Sequence, residues 1–370
     1  MRKIVNLHIL RALATIVVAS AHAITRTNQW SELPAIIYVM ADVMGAMAVD
    51  TFFVISGFIM IFTSSDLFGG RTGVAEFARR RLIRIVPLYW LATATEIALR
   101  ARHHNAPGLS EVFHTLFFVP QVTHPGEPLR PVVGVGWTLN YEALFYVMFG
   151  LALFLPRRIG VPALLAAIAA LVAAGGFVKP LTDTSAPTTV VTFLTDRIML
   201  MFALGIVAGL VYERAGEDRR GFIRHPFRLA FALCGGSIAV LFAAGAGTHP
   251  PLGWELLLRA AVLLVAMVCL FGAPSPSGAP TRILSHLADA SYSIYLFHFI
   301  IIVGLEKVWL AVFGAHGPVA CVLTLAAAAH AGGLLIHLTI ERPTTRLLQS
   351  LTRSQPTRDT APAGVRRVGL

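Results

Sequence analysis

Apolar runs long enough to cross a bilayer recur along this chain from one end to the other, and that recurrence limits what it can fold into. A hydrocarbon core about 30 Å thick takes roughly 17 to 25 residues of helix per crossing. Runs of that kind are read near residues 7–24, 40–63, 82–99, 137–155, 160–178, 192–212, 229–246, 254–272, 290–312 and 317–339. Within lipid the backbone must satisfy its own polar groups, so repeated spans of this length are read as helices. Composition agrees: 56% of residues are hydrophobic and 13% charged, against about 25% charged in an average soluble domain, and the mean hydropathy is +0.72. The expected fold is all-α, a polytopic membrane helix bundle of about ten transmembrane helices over residues 1–345. Residues 346–370 are polar with scattered Pro and Arg, and are expected to form a cytoplasmic tail without fixed structure.

Lys and Arg fix the expected orientation, because cytoplasmic loops keep them. With the N-terminus inside, the inner segments carry Arg2, Lys3, Arg71, Arg79, Arg80, Arg81, Arg84, Arg157, Arg158, Arg214, Arg219, Arg220, Arg224, Arg228, Arg282 and the tail arginines, whereas the outer ones hold Arg26, Arg100, Arg102, Arg130 and Lys179. Both termini are therefore expected in the cytoplasm, with the protein multi-pass in the inner (plasma) membrane. The net charge of +11 is topological and suits an anionic leaflet, which argues against a nucleic-acid partner.

Arg11 and His22 share a face of the first span. Eleven helical steps of about 100° return the second residue to within about 20° of the first, roughly 16 Å along the axis. An arginine at membrane depth costs roughly 2.5 to 3.5 kcal/mol on insertion scales, so it signals a polar partner or a pathway. Met1-Arg2-Lys3, an apolar run and Ala21-His22-Ala23 imitate a cleavable signal peptide, but Arg11 interrupts the core of that signal. Cys234, Cys269 and Cys321 lie in apolar runs as small hydrophobes. There is no HExxH, no Cys/His ligand spacing and no Gly-rich nucleotide loop, so neither a metal nor a bound cofactor is expected.

Most loops are short. In the longest, Arg100 to Gly136, residues Leu109, Val112, Phe113, Leu116 and Phe117 recur at helical spacing and predict an interfacial helix beside which an acceptor substrate could lie. The segment from Gly69 to Arg84 is Gly-rich and then densely basic, and is expected to be a cytoplasmic loop.

Six blocks in order carry a resemblance: Leu10-Arg11-Ala12 with His22; Val49-Asp50-Thr51-Phe52-Phe53-Val54-Ile55-Ser56-Gly57-Phe58; Arg80 through Trp90; Gly136-Trp137-Thr138-Leu139-Asn140-Tyr141-Glu142; Ser291 through His298; and Glu341-Arg342-Pro343. Over residues 4 to 345 the chain resembles the integral-membrane acyltransferases of acyltransferase family 3, particularly short members that modify exopolysaccharides. The resemblance implies transfer of an acyl group, usually acetyl, from cytoplasmic acyl-CoA to a sugar hydroxyl on a lipid-linked or cell-surface glycan. Acyl-CoA, most simply acetyl-CoA, is then a co-substrate.

Within that implication His22 is the candidate base, since an imidazole beside a hydroxyl can accept its proton as the thioester is attacked; its bland reading is a polar side chain satisfied inside a bundle. Arg11, Arg81 and Arg84 suit the phosphates of the donor, whereas Arg79 and Arg80 read as positive-inside residues. Glu142 is expected to enter its span from the outer face near the depth of His22, where it pairs with a cation, orients the imidazole or accepts from a sugar hydroxyl. Trp137 is either a stacking platform or an interface anchor. Asp50 neutralises Arg11 or another buried Arg, or supports the active site.

Tyr292, Tyr295 and His298 form a polar stripe, in which His298 is either a packing residue or a second proton-transfer group. Ser56 lacks a nucleophile elbow, and with Gly57 it reads as a close-packing pair. Glu341-Arg342-Pro343 is expected to end the last helix as a structural clamp. Two alternatives stay open: a small-molecule O-acyltransferase of the same fold, and a carrier or flippase for a lipid-linked sugar that performs no chemistry.

Overall fold

The computed structural model describes residues 4–180, 183, 185–215, 222–243, 252–273 and 278–352. Among these the chain is helical without named strands: α1 (Val5–Thr27), α2 (Ala35–Thr63), α3 (Arg71–Arg102), α4 (Leu109–Leu116), α5 (Trp137–Leu153), α6 (Arg157–Gly175), α7 (Val190–Leu194), α8 (Met199–Arg214), α9 (Pro226–Ala243), α10 (Leu252–Phe271), α11 (Ala279–Asp289), α12 (Ser291–Phe313), α13 (Pro318–Ile336) and α14 (Arg342–Thr352). Each expected span overlaps a helix, although 192–212 falls on two, α7 and α8, and the last residues of 229–246 lie outside the described residues. By length and composition, seven described segments can cross a membrane: α1, α2, α3, α6, Val190–Arg214, α12 and Pro318–Thr352. The described apolar parts of α9 and α10 are shorter, and α5 has 17 residues.

Helix α2 is the hub, packed on α1 and α8. A Cβ at Gly57 would meet the carbonyl of Phe202, and one at Gly205 that of Val54, so the two backbones touch where neither helix has a side chain. This bears out the close-packing reading for Gly57, whereas Ser56 lines a cavity and donates to Glu142 at 3.4 Å. Aromatic rings fill the space beside this contact, with Phe53 and Phe145 against Phe202 at centroid separations of 4.7 and 4.2 Å.

Helix α1 is pinned at both ends. Near its start the Asn6 side-chain amide donates to the carbonyls of Cys269, Gly272 and Ala273 at 3.2, 3.2 and 2.9 Å, satisfying acceptors that the end of α10 leaves open. Near its end Arg26 Nη2 lies 2.6 Å from Glu306 Oε2, and Trp30 Nε1 donates to Glu306 Oε1 at 3.0 Å. These contacts fix the rotation of α1, and so the direction of its Arg11 and His22 face. His8 Nε2 sits 3.2 Å from Asp289, Ser293 Oγ donates to Glu341 at 2.5 Å, and Arg79 donates to Thr352 at 2.8 Å. The start of α1 and the whole of α14 thus share one end of the bundle.

Four expectations change. The basic segment 69–84 is not a loop, because α3 begins at Arg71 and runs unbroken through Pro87; Glu76 holds both Arg79 and Arg80 at 2.7 and 2.6 Å, favourable i,i+3 and i,i+4 pairs on a helix. The expected span 192–212 is broken after Leu194, where Asp196 Oδ1 accepts from the Ile198 N–H at 2.7 Å and turns the backbone before α8. Pro343 does not end the last helix. A π-helical turn over His337–Glu341 precedes it and the helix runs on without a break as α14 to Thr352, the widened turn accommodating the ring and missing N–H of Pro343. Helical structure therefore extends past residue 346, the expected start of the tail. Residues 353–370, together with Arg2, Lys3, Arg219 and Arg220, lie outside the described residues.

A helix is present at the expected place as α4. Leu109, Phe113 and Phe117 are 90%, 58% and 56% exposed, an apolar face with bilayer as its natural cover.

Candidate active site

Two cavities open inside the bundle. The first, of about 110 Å³, is lined by Arg11 of α1, Ser56 of α2, Arg81 and Arg84 of α3, Glu142 and Tyr146 of α5, and Tyr292 of α12. The three sequence-expected donor residues therefore converge, although α1 and α3 are separated by the whole of α2. Glu142 is the single carboxylate among the described lining residues. It accepts a hydrogen bond from the Tyr146 hydroxyl and a longer one, at 3.4 Å, from Ser56 Oγ. Arg81 lies over the rings of Phe77 and Tyr146, 5.5 and 5.8 Å from their centroids. Neither Arg11 nor Arg84 has a side-chain hydrogen bond or ion pair among the described residues. Three guanidinium groups facing one carboxylate repel one another, and an anion entering between them relieves that repulsion.

The second cavity, of about 450 Å³, lies toward the other end of α1 and is lined by His22, Asp42, Asp50, Arg130, Trp137, Arg259 and Tyr295. That volume falls within the roughly 300–1,000 Å³ usual for small-molecule sites. Asp50 pairs with Arg259 Nε at 3.5 Å, so of the readings open for Asp50 the structure shows neutralisation of another buried arginine, not of Arg11. Trp137 lines this cavity beside His22.

Glu142 departs from its expected place. It opens onto the arginine cavity and not onto the one holding His22. Trp137 begins α5 at the histidine cavity, and five residues along a helix carry Glu142 about 7.5 Å toward the other end. The carboxylate therefore does not orient the His22 imidazole.

Tyr295 and Val49 line both cavities and form the partition between them. The Tyr295 hydroxyl donates to the Val135 carbonyl at 3.0 Å and lies 2.7 Å from Thr138 Oγ1, which fastens α12 to the start of α5. Tyr292 is fastened in turn to α3, donating to the Ile85 carbonyl at 2.8 Å. The expected polar stripe of α12 thus bonds two different neighbours.

His298, one turn further on, turns its ring to His22, with centroids 5.1 Å apart. Its Nδ1 faces the carbonyls of Tyr295 and Ile294 at 2.7 and 3.2 Å. A carbonyl only accepts, so Nδ1 carries the proton and Nε2 is an acceptor. That Nε2 is buried without a hydrogen-bond partner among the described residues.

Reasoning from sequence missed Arg259, Tyr146, Arg130 and Glu306. Arg259 and Glu306 sit inside apolar runs and carried the same in-span charge signal as Arg11. Tyr146 follows Glu142 by four residues, the spacing of one helical face. The sequence marked Arg130 only as one of the few cations expected on the outer side.

Comparison with known proteins settles the class. The acyltransferase 3 family, whose description is an acyltransferase domain, matches residues 4–331. The chain belongs to this family. It is 34% identical over 318 residues to the exopolysaccharide production protein ExoZ of Rhizobium meliloti (strain 1021), covering 82% of this chain and 90% of ExoZ. It is 29% identical over 355 residues to the acyltransferase MdmB of Streptomyces mycarofaciens, covering 86% of this chain and 87% of MdmB. No solved structure matches. The protein is an acyltransferase, and its apolar helices make it a multi-pass membrane member of the family.

Proposed function

We propose that this acyltransferase moves an acetyl group from acetyl-CoA, bound from the cytoplasmic side of the inner membrane, to a hydroxyl of a cell-surface or lipid-linked glycan. The observation that carries the reading is the pair of cavities sharing the Tyr295 partition, one rich in arginine and the other containing His22. Coenzyme A is polyanionic at one end and carries the reactive thioester at the other. Its phosphates match Arg11, Arg81 and Arg84, and its acyl end points past Tyr295 toward the imidazole. Glu142, held by Tyr146, limits the excess of positive charge in the donor cavity.

His22 takes the proton of the acceptor hydroxyl while that oxygen attacks the thioester carbonyl. The carbon–sulfur bond breaks, CoA leaves as the thiolate and the proton on His22 returns to it. His298 supports the base. With its Nδ1 proton committed to backbone carbonyls, its Nε2 is, among the described residues, an unpartnered acceptor beside the His22 ring, placed to take an N–H when His22 turns its other nitrogen to the acceptor hydroxyl. ExoZ, named for exopolysaccharide production, supports a glycan acceptor.

The test is release of free CoA from acetyl-CoA by purified protein supplied with a glycan extract. Release that depends on His22, with label appearing as a glycan ester, is the expected result. CoA release with no glycan ester formed would overturn the glycan acceptor and favour a small-molecule one.

A further inference from the structure

The segment between α4 and α5 presents one exposed arginine from a buried, fastened backbone. Leu129, Val132 and Val133 are 4%, 0% and 2% exposed, and Pro131 is buried with them. Three hydrogen bonds from three directions hold this backbone: Leu129 N–H to the Pro187 carbonyl at 3.3 Å, Val132 N–H to Thr115 Oγ1 at 2.9 Å, and Arg100 Nη2 to the Val132 carbonyl at 2.6 Å. Arg130 alone in this run faces outward, and it lines the cavity that contains His22.

The other charges of that cavity are engaged. Asp50 and Arg259 pair with each other, and Asp42 has interactions of its own. Arg130 has no side-chain hydrogen bond or ion pair among the described residues. An arginine on a floppy loop is ordinary solvent-facing charge. One anchored by a rigid backbone beside a candidate catalytic base is a preformed fork for a carboxylate or a phosphate, the groups that guanidinium binds in bidentate fashion. Pre-organisation matters because less side-chain and backbone freedom is lost on binding.

We propose that Arg130 is an acceptor-side anion site: the acceptor carries a carboxylate or phosphate group near the hydroxyl to be acylated, and Arg130 grips that group so that the hydroxyl faces His22. This names the substrate class of the cavity and rests on the reading of that cavity as the acceptor side. A sugar acid supplies a carboxylate, and a lipid-linked sugar supplies a phosphate. The two share the chemistry and differ in where the charge sits.

The experiment is direct binding to purified full-length protein in a non-ionic detergent, which removes lipid phosphate. Three radiolabelled probes are compared by equilibrium dialysis: methyl glucuronide, glucose 1-phosphate and neutral methyl glucoside. At least one charged probe binds about tenfold or more tightly than the neutral one, and Arg130→Gln removes that preference while Arg130→Lys keeps part of it. Preference for the glucuronide assigns a sugar acid, and preference for the phosphate assigns a phosphate-bearing acceptor. Equal binding of all three probes, or a charge preference that survives Arg130→Gln in a variant of unchanged thermal stability, overturns the site. No turnover enters these measurements, so a failure of the acyltransfer reading shows separately, in the CoA-release assay.

Discussion

The rings of His22 and His298 lie with centroids 5.1 Å apart and planes inclined by 36°, across the contact between α1 and α12. Histidine bases are commonly oriented by a carboxylate. No carboxylate accepts from His22 among the described residues, and Glu142 belongs to the other cavity. The backbone carbonyls that fix the tautomer of His298 give its Nε2 the acceptor character that the carboxylate would otherwise bring.

His298→Ala is therefore expected to lower kcat by about ten- to a hundredfold, with the KM for acetyl-CoA unchanged, the order of effect seen for supporting partners of a functional imidazole. His298→Gln keeps an acceptor at a similar reach and should recover part of the loss. Steady-state kinetics of both variants check this. A matching loss in the Gln and Ala proteins would reduce His298 to packing.

The donor side predicts a different kinetic signature. Arg84 faces the arginine cavity without an ion-pair partner among the described residues, so Arg84→Ala should raise the KM for acetyl-CoA by about tenfold or more and leave acceptor dependence nearly as it was. Arg84→Lys should recover only part, because a point charge replaces a planar fork. Titrating donor and acceptor separately distinguishes this from a general loss of fold.

Glu306 is 2% exposed and holds both Arg26 and Trp30. Glu306→Ala strands a charge and an indole N–H. A fully buried pair broken in this way costs about 3–5 kcal/mol, and partial exposure of Arg26 lowers the expectation to about 2 kcal/mol. Replacing both members by Met should recover much of the loss. Thermal unfolding in detergent measures both variants, and a Glu306→Ala protein as stable as wild type would remove this clamp from the account of how α1 is held.

The sequence made the helices legible because apolar length and the backbone's need for internal hydrogen bonds act locally. It misread 69–84 because hydropathy falls with charge while helix propensity does not, and Glu76 with Arg79 and Arg80 stabilises a helix that hydropathy alone hides. In the candidate site, Arg11, Arg81 and Arg84 were legible as cations near or within spans. Their convergence with Glu142, the pairing of Asp50 with Arg259 and the anchoring of Arg130 depend on contacts between distant segments, which no local pattern encodes.

The proposed orientation, with both ends in the cytoplasm, rests on the Lys and Arg distribution, and α1 and α14 share the end it assigns to the inner face. With the native cysteines replaced, a cysteine at Gly70 should react with a membrane-impermeant reagent only after the inner face is opened, and one at Gly126 should react in intact cells. Labelling of the Gly70 position from outside would reverse the membrane orientation and place the arginine cavity on the wrong side for cytoplasmic CoA.

The central expectation concerns His22. It lines the larger cavity, shares a helix face with Arg11 and sits beyond the Tyr295 partition from the donor arginines. As general base it should account for about 10² to 10⁴ of the turnover, so His22→Ala and His22→Gln should both lose that much while the protein stays inserted and still binds acetyl-CoA. The Gln variant is the sharper of the two, since an amide fills the space and forms hydrogen bonds but takes no proton. Arg11→Ala should act on donor KM instead, because a guanidinium stays protonated and cannot serve as the base. Donor binding, measured by dialysis with labelled acetyl-CoA, separates the two effects. A stable His22→Gln enzyme with near-normal turnover would falsify the assignment and shift the role to Glu142, the carboxylate that already accepts from Ser56 and Tyr146 in the neighbouring cavity.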